Sequence, residues 1–306
     1  MQIQENIILA PYTTFKIGGP AEYFVLAKTA EDIQEAIAFA REKDLKVFVF
    51  GGGSNLLITD AGIKGLVIKL DLQKLEFDNN KILVGAGVNL AYLLNQALEN
   101  SLTGLEFAAG VPGTVGGAVR GNAGTYGEAM GDVVQNIQYL DENYQLQTML
   151  ASQAEFAYRH SIFKEKKYLI LEVELKLQTG DVEAARNLVK ERLAYRQNTQ
   201  PNDPSAGCIF KNIAFEETEI NALRDKGIEV DKFLAHKKIP AAYLIEQAGL
   251  KGKTIGGAQV SEKHANYIIN TGQAKAEDVL ILSSFIKQQI RDKYGIQLVE
   301  EVQFVV

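Results

Sequence analysis

Apolar residues recur first at helical spacing and then as a short run between positions 29 and 57. The stretch "TAEDIQEAIAFAREKDLKVFVFGGGSNLL" opens with Thr29, a residue type that is favoured at helix N-caps. Apolar residues follow at helical spacing, at Ile33, Ala36, Ile37 and Ala40. The run from Lys46 to Phe50 predicts a strand, and three glycines follow it. The segment is therefore predicted to form a helix, a strand and a glycine loop.

The same periodicities predict mixed α/β structure along the rest of the chain. Strands are predicted in "GLVIKL", "KILVGAG" and "NIQYLDENYQLQTMLA", and helices in "NLAYLLNQALENS" and "DVEAARNLVKERLAYR". The polar passage "QNTQPNDPSAG" predicts a boundary, after which a second α/β set begins. Its last helix ends near Gly295, before a predicted strand "IQLVEEVQFVV", and carries periodic apolar residues at Val279, Leu282, Ile286 and Ile290. The charge density of Ile213 to Lys238 predicts a solvated helical excursion.

Composition narrows the class of protein. The chain has 306 residues, more than one average domain, with 46% hydrophobic and 23% charged residues, which is typical of a folded globular protein. A net charge of −6 argues against nucleic-acid binding, so an anionic substrate needs local cations. No apolar run approaches the roughly 18 residues that span a bilayer, and no secretory leader is evident. We expect a cytoplasmic protein without a membrane partner or a metal site, and Cys208, the single cysteine, has no intrachain disulfide partner.

Three glycine-rich stretches suggest phosphate binding, because glycine lets backbone N–H groups approach a diphosphate closely. They are "FKIGGPAEYF", "VFGGGSNLLITDAG" and "GLEFAAGVPGTVGGAVRGNAGTYG". None ends in the Gly-Lys-Ser/Thr of a P-loop, which disfavours ATP hydrolysis of that type. In "KILVGAGVNLAYLL", Gly85 and Gly87 fit the dinucleotide fingerprint, but Leu90 occupies its sixth position. A Rossmann NAD site is therefore disfavoured.

Seven motifs together resemble one enzyme family. In chain order they are "FKIGGPAEY", "GGGSNLL", "AAGVPGTVGGAVRGNAG", "YRHSIFK", "SAGCIFKN", "LKGKTIGGAQVSEKHANYIIN" and "EEVQFVV". They are similar to the motifs of bacterial UDP-N-acetylenolpyruvoylglucosamine reductases, also called UDP-N-acetylmuramate dehydrogenases. The resemblance covers nearly the whole chain. Arg159 and Cys208 are too close in sequence for the tyrosine-bearing loop of one family branch, so the chain resembles the branch without it.

The resemblance implies an α+β protein with an FAD-binding fold of the vanillyl-alcohol-oxidase (PCMH) type. Two α/β subdomains, 1–70 and 71–200, are expected to bind FAD non-covalently, and a C-terminal α/β domain, 201–306, to bind substrate. By resemblance, backbone amides and the Ser54 hydroxyl hold the FAD diphosphate in the loop Gly51, Gly52, Gly53, Ser54 and Asn55. The remaining cofactor contacts are expected at Val111, Pro112, Gly113, Thr114, Gly116, Gly117, Asn122 and Gly124.

The family's reaction reduces the enolpyruvyl ether of UDP-N-acetylglucosamine to UDP-N-acetylmuramate for peptidoglycan synthesis, with NADPH as hydride donor. Charge builds up on the α-carbon and carboxylate, so a cation, a proton donor and an orienting acid are needed. By resemblance these are Arg159, Cys208 and Glu301. Most relatives carry serine where this chain has Cys208, and a thiol loses its proton more readily than a hydroxyl. A raised pKa is expected for Glu301, because an ionised carboxylate would repel the enolate.

The resemblance also implies a set of substrate-binding residues, and the chain departs from the family at two points. Asn212, Lys251 and His264 lie at motif positions that contact the UDP-sugar. Thr199 replaces a lysine that relatives usually carry before "QP". The second departure is an apparent insertion at 213–238, interpreted as a helical flap in which Lys237 and Lys238 replace the lost charge.

Two other functions remain open at the level of sequence. One is a flavin oxidase of the same fold that acts on an alcohol or sugar. Such enzymes often attach FAD through His or Cys, and the glycine loops here contain neither residue. The other is an inactive homologue that binds FAD or a UDP-sugar. A monomer is expected, with NADPH and the UDP-sugar as its small-molecule partners.

Overall fold

The computed structural model describes residues 1–305, which divide into two compact units. The first unit comprises Met1–Ile7, Ala21–Gly53 and Lys64–Asn198. The second comprises Ile8–Pro20, Ser54–Ile63 and Thr199 onward. The predicted boundary near residue 200 thus coincides with the start of the longest segment of the second unit, whereas residues 1–70 and 71–198 lie largely in one unit.

Seven α-helices occur within residues 1–305. They are α1 Ala30–Glu42, α2 Leu90–Glu99, α3 Val115–Gly121, α4 Val182–Thr199, α5 Ile220–Asp225, α6 Ala241–Gln247 and α7 Ala276–Tyr294. The N-caps follow from the sequence: the Thr29 hydroxyl accepts a hydrogen bond from Asp32 N–H, and the Asn89 side chain caps α2. At its other end α7 stops at Gly295, whose φ of 65° is left-handed. In that part of the chain, no helix combines the length and the apolar character needed to cross a bilayer.

Most strands of the same residues are short. In the first half of the chain they are β1 Gln4–Ile8, β2 Pro20–Ala27, β3 Val47–Phe50, β4 Leu56–Ile58, β5 Ile63–Leu70, β6 Leu75–Asp78, β7 Lys81–Gly85, β8 Leu102–Thr103, β9 Gly124–Thr125, β10 Glu128–Ala129, β11 Val134–Leu140 and β12 Leu146–Leu150. In the second half they are β13 Leu169–Lys176, β14 Gln178–Thr179, β15 Ile213–Ala214, β16 Lys238–Ile239, β17 Thr254–Ile255, β18 Ala258–Val260, β19 Ile268–Asn270 and β20 Gln303–Val305.

Two larger sheets make up the first unit. One has the order β1-β2-β5-β3, with β3 and β5 parallel, and the other is an antiparallel sheet of order β12-β11-β13-β7-β6. Side chains of both sheets share one core with α1 and α2. The four periodic apolar residues of α1 belong to this core and are at most 3% exposed. The prediction of mixed α/β structure is confirmed for this unit.

The second unit has its own core around α7. Strands β17, β18 and β19 form an antiparallel sheet, while β20 pairs with β4 in parallel. The predicted core residues of α7, from Val279 to Ile290, are at most 1% exposed. The final strand is shorter than "IQLVEEVQFVV" predicts, because β20 begins only at Gln303. Val306 lies outside the described residues.

The segment 213–238 is packed more tightly than its charge predicts. It leaves and returns through the antiparallel pair β15 and β16, and its one α-helix, α5, has only six residues. Four apolar side chains of the segment enter the core of the second unit, at Phe215, Leu223, Ile228 and Val230. The expectation of a solvated helical excursion is therefore wrong for the apolar residues of the segment, because their removal from water stabilises the packed conformation. The charged residues remain at the surface.

Candidate active site

The glycines after β3 lie against the loop that precedes α3. A Cβ built on Gly52 would stand 2.8 Å from the Cα of Gly113, and one on Gly51 would stand 2.3 Å from the hydroxyl oxygen of Thr114. A side chain at position 52 would force the two loops apart, and one at position 51 would displace the Thr114 hydroxyl. Glycine at these positions therefore allows the two loops to pack closely.

Some residues of the loop 111–117 pack against neighbouring residues, and others border open space. Thr114 caps α3, accepting from Gly117 N–H at 3.5 Å. Gly116 has a packing role, since its N–H donates to the Ala86 carbonyl and a Cβ would stand 2.7 Å from the Ala86 Cβ. A Cβ on Gly117, in contrast, would meet nothing closer than 3.6 Å. Gly117 therefore borders open space, and the contacts predicted for Val111, Pro112, Gly113 and Gly117 stay predictions.

Asn122 and Gly124 support the turn that carries Arg159. Asn122 is 8% exposed and left-handed, with φ of 42°. Its side chain donates to the Ala157 carbonyl at 3.0 Å and accepts from Gly131 N–H at 2.9 Å. The Gly124 carbonyl accepts from Arg159 Nη1 at 2.9 Å. These groups hold the arginine and its turn, and the cofactor contacts expected for Asn122 and Gly124 stay predictions.

Arg159 occupies a tight turn in the first unit. Ala157 and His160 exchange two backbone hydrogen bonds around it, of 3.2 and 3.1 Å. Its φ of 55° lies in the left-handed region, which costs a non-glycine residue free energy and is enriched at functional sites. Lys164 Nζ donates to the Arg159 carbonyl at 2.8 Å. The turn is thus fixed on both sides, and the guanidinium is directed to the β9 strand.

The segments that carry Cys208 and Glu301 are joined in the second unit by a backbone hydrogen bond. Glu301 N–H donates to the carbonyl of Ile209, the residue after the cysteine, at 2.7 Å. On the other side Ile209 N–H donates to the Asn266 carbonyl at 2.8 Å. The Asn266 side chain, 2% exposed, both accepts from Phe210 N–H and donates to the Phe210 carbonyl. The segment 208–211 therefore lies between two bonded neighbours, and we call it the thiol platform.

Asn55 is bonded to the same end of the second unit. Its Nδ2 donates to the Glu301 carbonyl at 3.0 Å, and its own carbonyl accepts from Gln303 N–H at 3.0 Å. Sequence reasoning placed Asn55 in the diphosphate loop and missed this contact. The sequence alone could not predict this contact, because about 250 positions separate Asn55 from Glu301. An asparagine in a loop is also explained by a turn, without any distant partner.

The predicted substrate residues also lie in the second unit. Lys251 forms an ion pair of 2.7 Å with Glu246, and Asn212 Oδ1 accepts from Ala241 N–H at 3.3 Å. His264 Nδ1 accepts from Asn266 N–H at 3.3 Å, and its ring packs edge-on against Tyr267. Burial, and to a lesser extent the nearby Lys251 charge, hold the pKa of His264 below its usual value. His264 is therefore neutral near pH 7, with a proton on Nε2.

Two other glycine stretches have structural explanations. A Cβ on Gly19 would stand 2.1 Å from the Asp60 carbonyl oxygen, and one on Gly62 would stand 1.9 Å from that of Pro20. Similarly, Gly85 and Gly87 lie against the backbone of Leu72. Glycine is needed at these positions for close backbone packing. This agrees with the expectation that "KILVGAG" is not a dinucleotide fingerprint.

Comparison with known proteins decides the family. Residues 200–305 match the model of the UDP-N-acetylenolpyruvoylglucosamine reductase C-terminal domain, and residues 21–148 match an FAD binding domain. The UDP-N-acetylenolpyruvoylglucosamine reductase of Caldanaerobacter subterraneus subsp. tengcongensis is 40% identical over 296 residues, which cover 96% of this chain and 90% of that protein. The chain belongs to the UDP-N-acetylenolpyruvoylglucosamine reductase family. The resemblance deduced from the seven motifs is confirmed.

Two further members of the reductase family extend the comparison. The reductase of Bacillus subtilis is 37% identical over 310 residues, covering 99% of this chain and 94% of its own. The crystal structure of the reductase from Thermus caldophilus superposes with a TM-score of 0.80 at 31% identity, covering all of both chains. The predicted fold class is therefore confirmed. The division of the FAD-binding part at residue 70 stays a prediction, as do the individual site residues.

Proposed function

We propose that this FAD-dependent UDP-N-acetylenolpyruvoylglucosamine reductase uses NADPH as its hydride donor and Arg159, Cys208 and Glu301 as its catalytic residues. The observation that carries the assignment is the hydrogen bond from Glu301 N–H to the Ile209 carbonyl, which links Glu301 to the residue that follows the thiol. Cys208 and Glu301 are far apart in sequence, so this bond supports a shared role for the two residues that the family motifs single out.

The residues of the glycine loops fit FAD. Gly51 and Gly52 meet Gly113 and Thr114 with no room for a side chain, while Gly117 borders open space. We propose that backbone amides of Gly51 to Gly53, with the Ser54 hydroxyl, hold the diphosphate. FAD, when bound, accepts a hydride from the nicotinamide and supplies one to the substrate.

Cys208 is proposed as the proton donor to the substrate α-carbon. Addition of hydride at the β-carbon of the enol ether leaves negative charge on the α-carbon and carboxylate, so a proton must be delivered from a positioned acid. A thiol with an ordinary pKa of about 8.5 is mostly protonated at neutral pH and gives up its proton more easily than serine. The hydrogen bonds of Ile209 and Phe210 fix the backbone that directly follows the donor.

Arg159 and Glu301 are proposed to act where negative charge develops on the substrate α-carbon and carboxylate. A guanidinium offers a planar fork of donors that suits a carboxylate and the enolate formed from it. One arm, Nη1, already donates to Gly124, which orients the fork before substrate arrives. Glu301 is proposed to orient the substrate and the donor.

Lys251 and His264 are proposed to grip the anionic UDP-sugar. The ammonium group of Lys251 supplies a point charge for a diphosphate, and the neutral His264 supplies a donor at Nε2, since Nδ1 already accepts a hydrogen bond. The Glu246 partner of Lys251 is half-exposed and can release it, because exposed ion pairs contribute little free energy. Asn212 completes this group.

Visible absorbance of the purified protein tests the assignment. Without oxygen, NADPH should bleach the yellow colour, and the enolpyruvyl UDP-sugar should restore it. An oxidase of the same fold would instead regain its colour with oxygen and not with this sugar. A yellow protein that neither bleaches with NADPH nor recovers with the sugar would contradict the proposed donor and acceptor. A protein that could not be loaded with FAD would contradict the assignment of the glycine loops.

A further inference from the structure

Asn55 connects two chain segments at the end of the β4 and β20 pair. In this parallel pair Leu56 lies opposite Gln303, so Asn55 directly precedes the ladder. The backbone of Asn55 takes part in it, because its carbonyl accepts from Gln303 N–H at 3.0 Å. The side chain reaches beyond the ladder, and Nδ2 donates to the Glu301 carbonyl at 3.0 Å. Asn55 therefore contacts the chain both at the first residue of β20 and two residues before it.

Both peptide groups of Glu301 are consequently fixed. Its N–H donates to Ile209 at 2.7 Å, and its carbonyl accepts from Asn55. Glu301 precedes β20, so its carbonyl lies outside the β4 and β20 ladder. Without the Asn55 amide, this carbonyl would lose its link to the β4 segment. The direction of the Glu301 side chain depends on the orientation of these two peptide planes.

We propose that Asn55 is a positioning residue that holds Glu301, and through it the thiol platform, in the geometry for proton delivery. This role rests on the proposed function, since Glu301 affects turnover only if it is catalytic. It is separate from the expected contact of the Asn55 backbone with FAD, because the side-chain amide is committed to Glu301. The effect of a substitution should therefore fall on the step that consumes the enolpyruvyl sugar.

The chemistry of the amide explains why asparagine suits this position. The Glu301 carbonyl needs a donor, and the side chain must be short enough to turn back beside its own backbone. Aspartate has the same size but cannot donate when ionised, and alanine removes the group altogether. The two substitutions separate the loss of a donor from the loss of volume.

Four variants test the role: Asn55→Ala, Asn55→Asp, Glu301→Gln and the control Thr59→Val. The Thr59 hydroxyl donates to the Gly62 carbonyl at 3.2 Å, so the control removes a hydrogen bond from the same segment without touching Glu301. FAD content and the rate of bleaching by NADPH are measured first, and then the rate at which the enolpyruvyl UDP-sugar restores colour. Asn55→Ala and Asn55→Asp should keep the first two and slow the third by about ten- to a hundredfold. Thr59→Val should change none of them.

A double variant and a chemical probe identify the route of the effect. In a Glu301→Gln background, Asn55→Ala should cause little further slowing, because both changes remove one function. Without NADPH or sugar, alkylation of Cys208 by iodoacetamide should accelerate in Asn55→Ala and not in Thr59→Val, since the platform is loosened. Three results would overturn the role. They are recovery at the wild-type rate in both Asn55 variants, full additivity of Asn55→Ala with Glu301→Gln, and slowing of the NADPH step alone. If Glu301→Gln itself recovers at the wild-type rate, the proposed catalysis by Glu301 is wrong, whereas faster alkylation in Asn55→Ala would still report the structural link.

Discussion

The turn that carries Arg159 and the thiol platform that carries Cys208 are built in different ways. In the first unit, the turn has a left-handed φ at Arg159 and depends on the side chains of Asn122 and Lys164, which donate to its carbonyls. In the second unit, the platform has backbone hydrogen bonds to two segments, and one buried asparagine, Asn266, adds to them. Two side chains thus add to a backbone pair around the cation, whereas a network made mainly of backbone hydrogen bonds holds the segment of the acid.

The difference indicates how each element responds to mutation. The side-chain contacts of the Arg159 turn can be lost one at a time by substitution. A turn with a strained residue can then relax, because the contact that restrained it is gone. A backbone network survives most side-chain substitutions, because its donors and acceptors remain. The platform is therefore expected to tolerate changes of chemistry at Cys208 without unfolding, which allows the proposed catalytic role of the thiol to be tested separately from stability.

Cys208→Ala should have the largest effect on turnover. Removal of a general acid is expected to slow recovery of the colour by the enolpyruvyl UDP-sugar by about 10²–10⁴-fold, while bleaching by NADPH is unchanged. Cys208→Ser is the matched variant, since it restores a donor of similar size and should recover much of the rate. Stopped-flow absorbance measures both steps. Unchanged recovery in Cys208→Ala would show that the thiol is not the donor and that another group supplies the proton.

Arg159→Lys should have the next largest effect. It keeps the positive charge but removes the planar fork, so recovery of colour should slow by about 10²–10³-fold at saturating sugar. Arg41→Lys is a suitable control, because Arg41 is an exposed arginine of the same unit that donates to the Asn143 carbonyl. Equal losses in the two variants would mean that arginine at 159 has no special role.

Asn266→Ala should reveal the dependence of the platform on its one buried side chain. The substitution leaves the N–H and carbonyl of Phe210 without this partner in a buried site, so the free energy of unfolding should fall by about 1–3 kcal/mol. Urea denaturation measures the change, and Asn143→Ala, at an exposed position, is the control. No loss of stability would indicate that backbone bonds alone maintain the platform, which would sharpen the contrast with the Arg159 turn.

Sequence patterns predicted the elements of both units better than the contacts between their residues. Thr29, Asn89 and Gly295 determine helix ends through local hydrogen bonds and backbone conformation, so their neighbours in sequence were sufficient evidence. The order of the motifs was sufficient for the family, because several independent matches are needed at once. Periodicity was also sufficient for the core face of α7.

Long-range partners and packed glycines could not be predicted in the same way. The bond between Asn55 and Glu301 forms only after β4 and β20 pair, and nothing near Asn55 specifies it. The packing role of Gly116, whose N–H donates to the Ala86 carbonyl and whose missing Cβ allows the approach to Ala86, was not predicted, and its cofactor contact stays a prediction. The segment 213–238 was misjudged because four apolar residues, scattered among many charges, give no clear period.

Lys237→Ala should have the smallest effect and tests the idea that segment 213–238 replaces the charge lost at Thr199. The Lys237 ammonium group donates to Glu217 at 3.0 Å, and this hydrogen bond raises the pKa of the lysine. Because its charge already has a partner on the same segment, KM for the UDP-sugar and for NADPH should each change less than about twofold. Lys251→Ala is the contrasting variant, since Lys251 lies near the half-buried His264 and its loss should raise KM for the sugar about tenfold or more. Steady-state kinetics measure both. KM could instead rise as much in Lys237→Ala as in Lys251→Ala. Segment 213–238 would then supply a cation to the site and would take part in substrate binding as well as in the core.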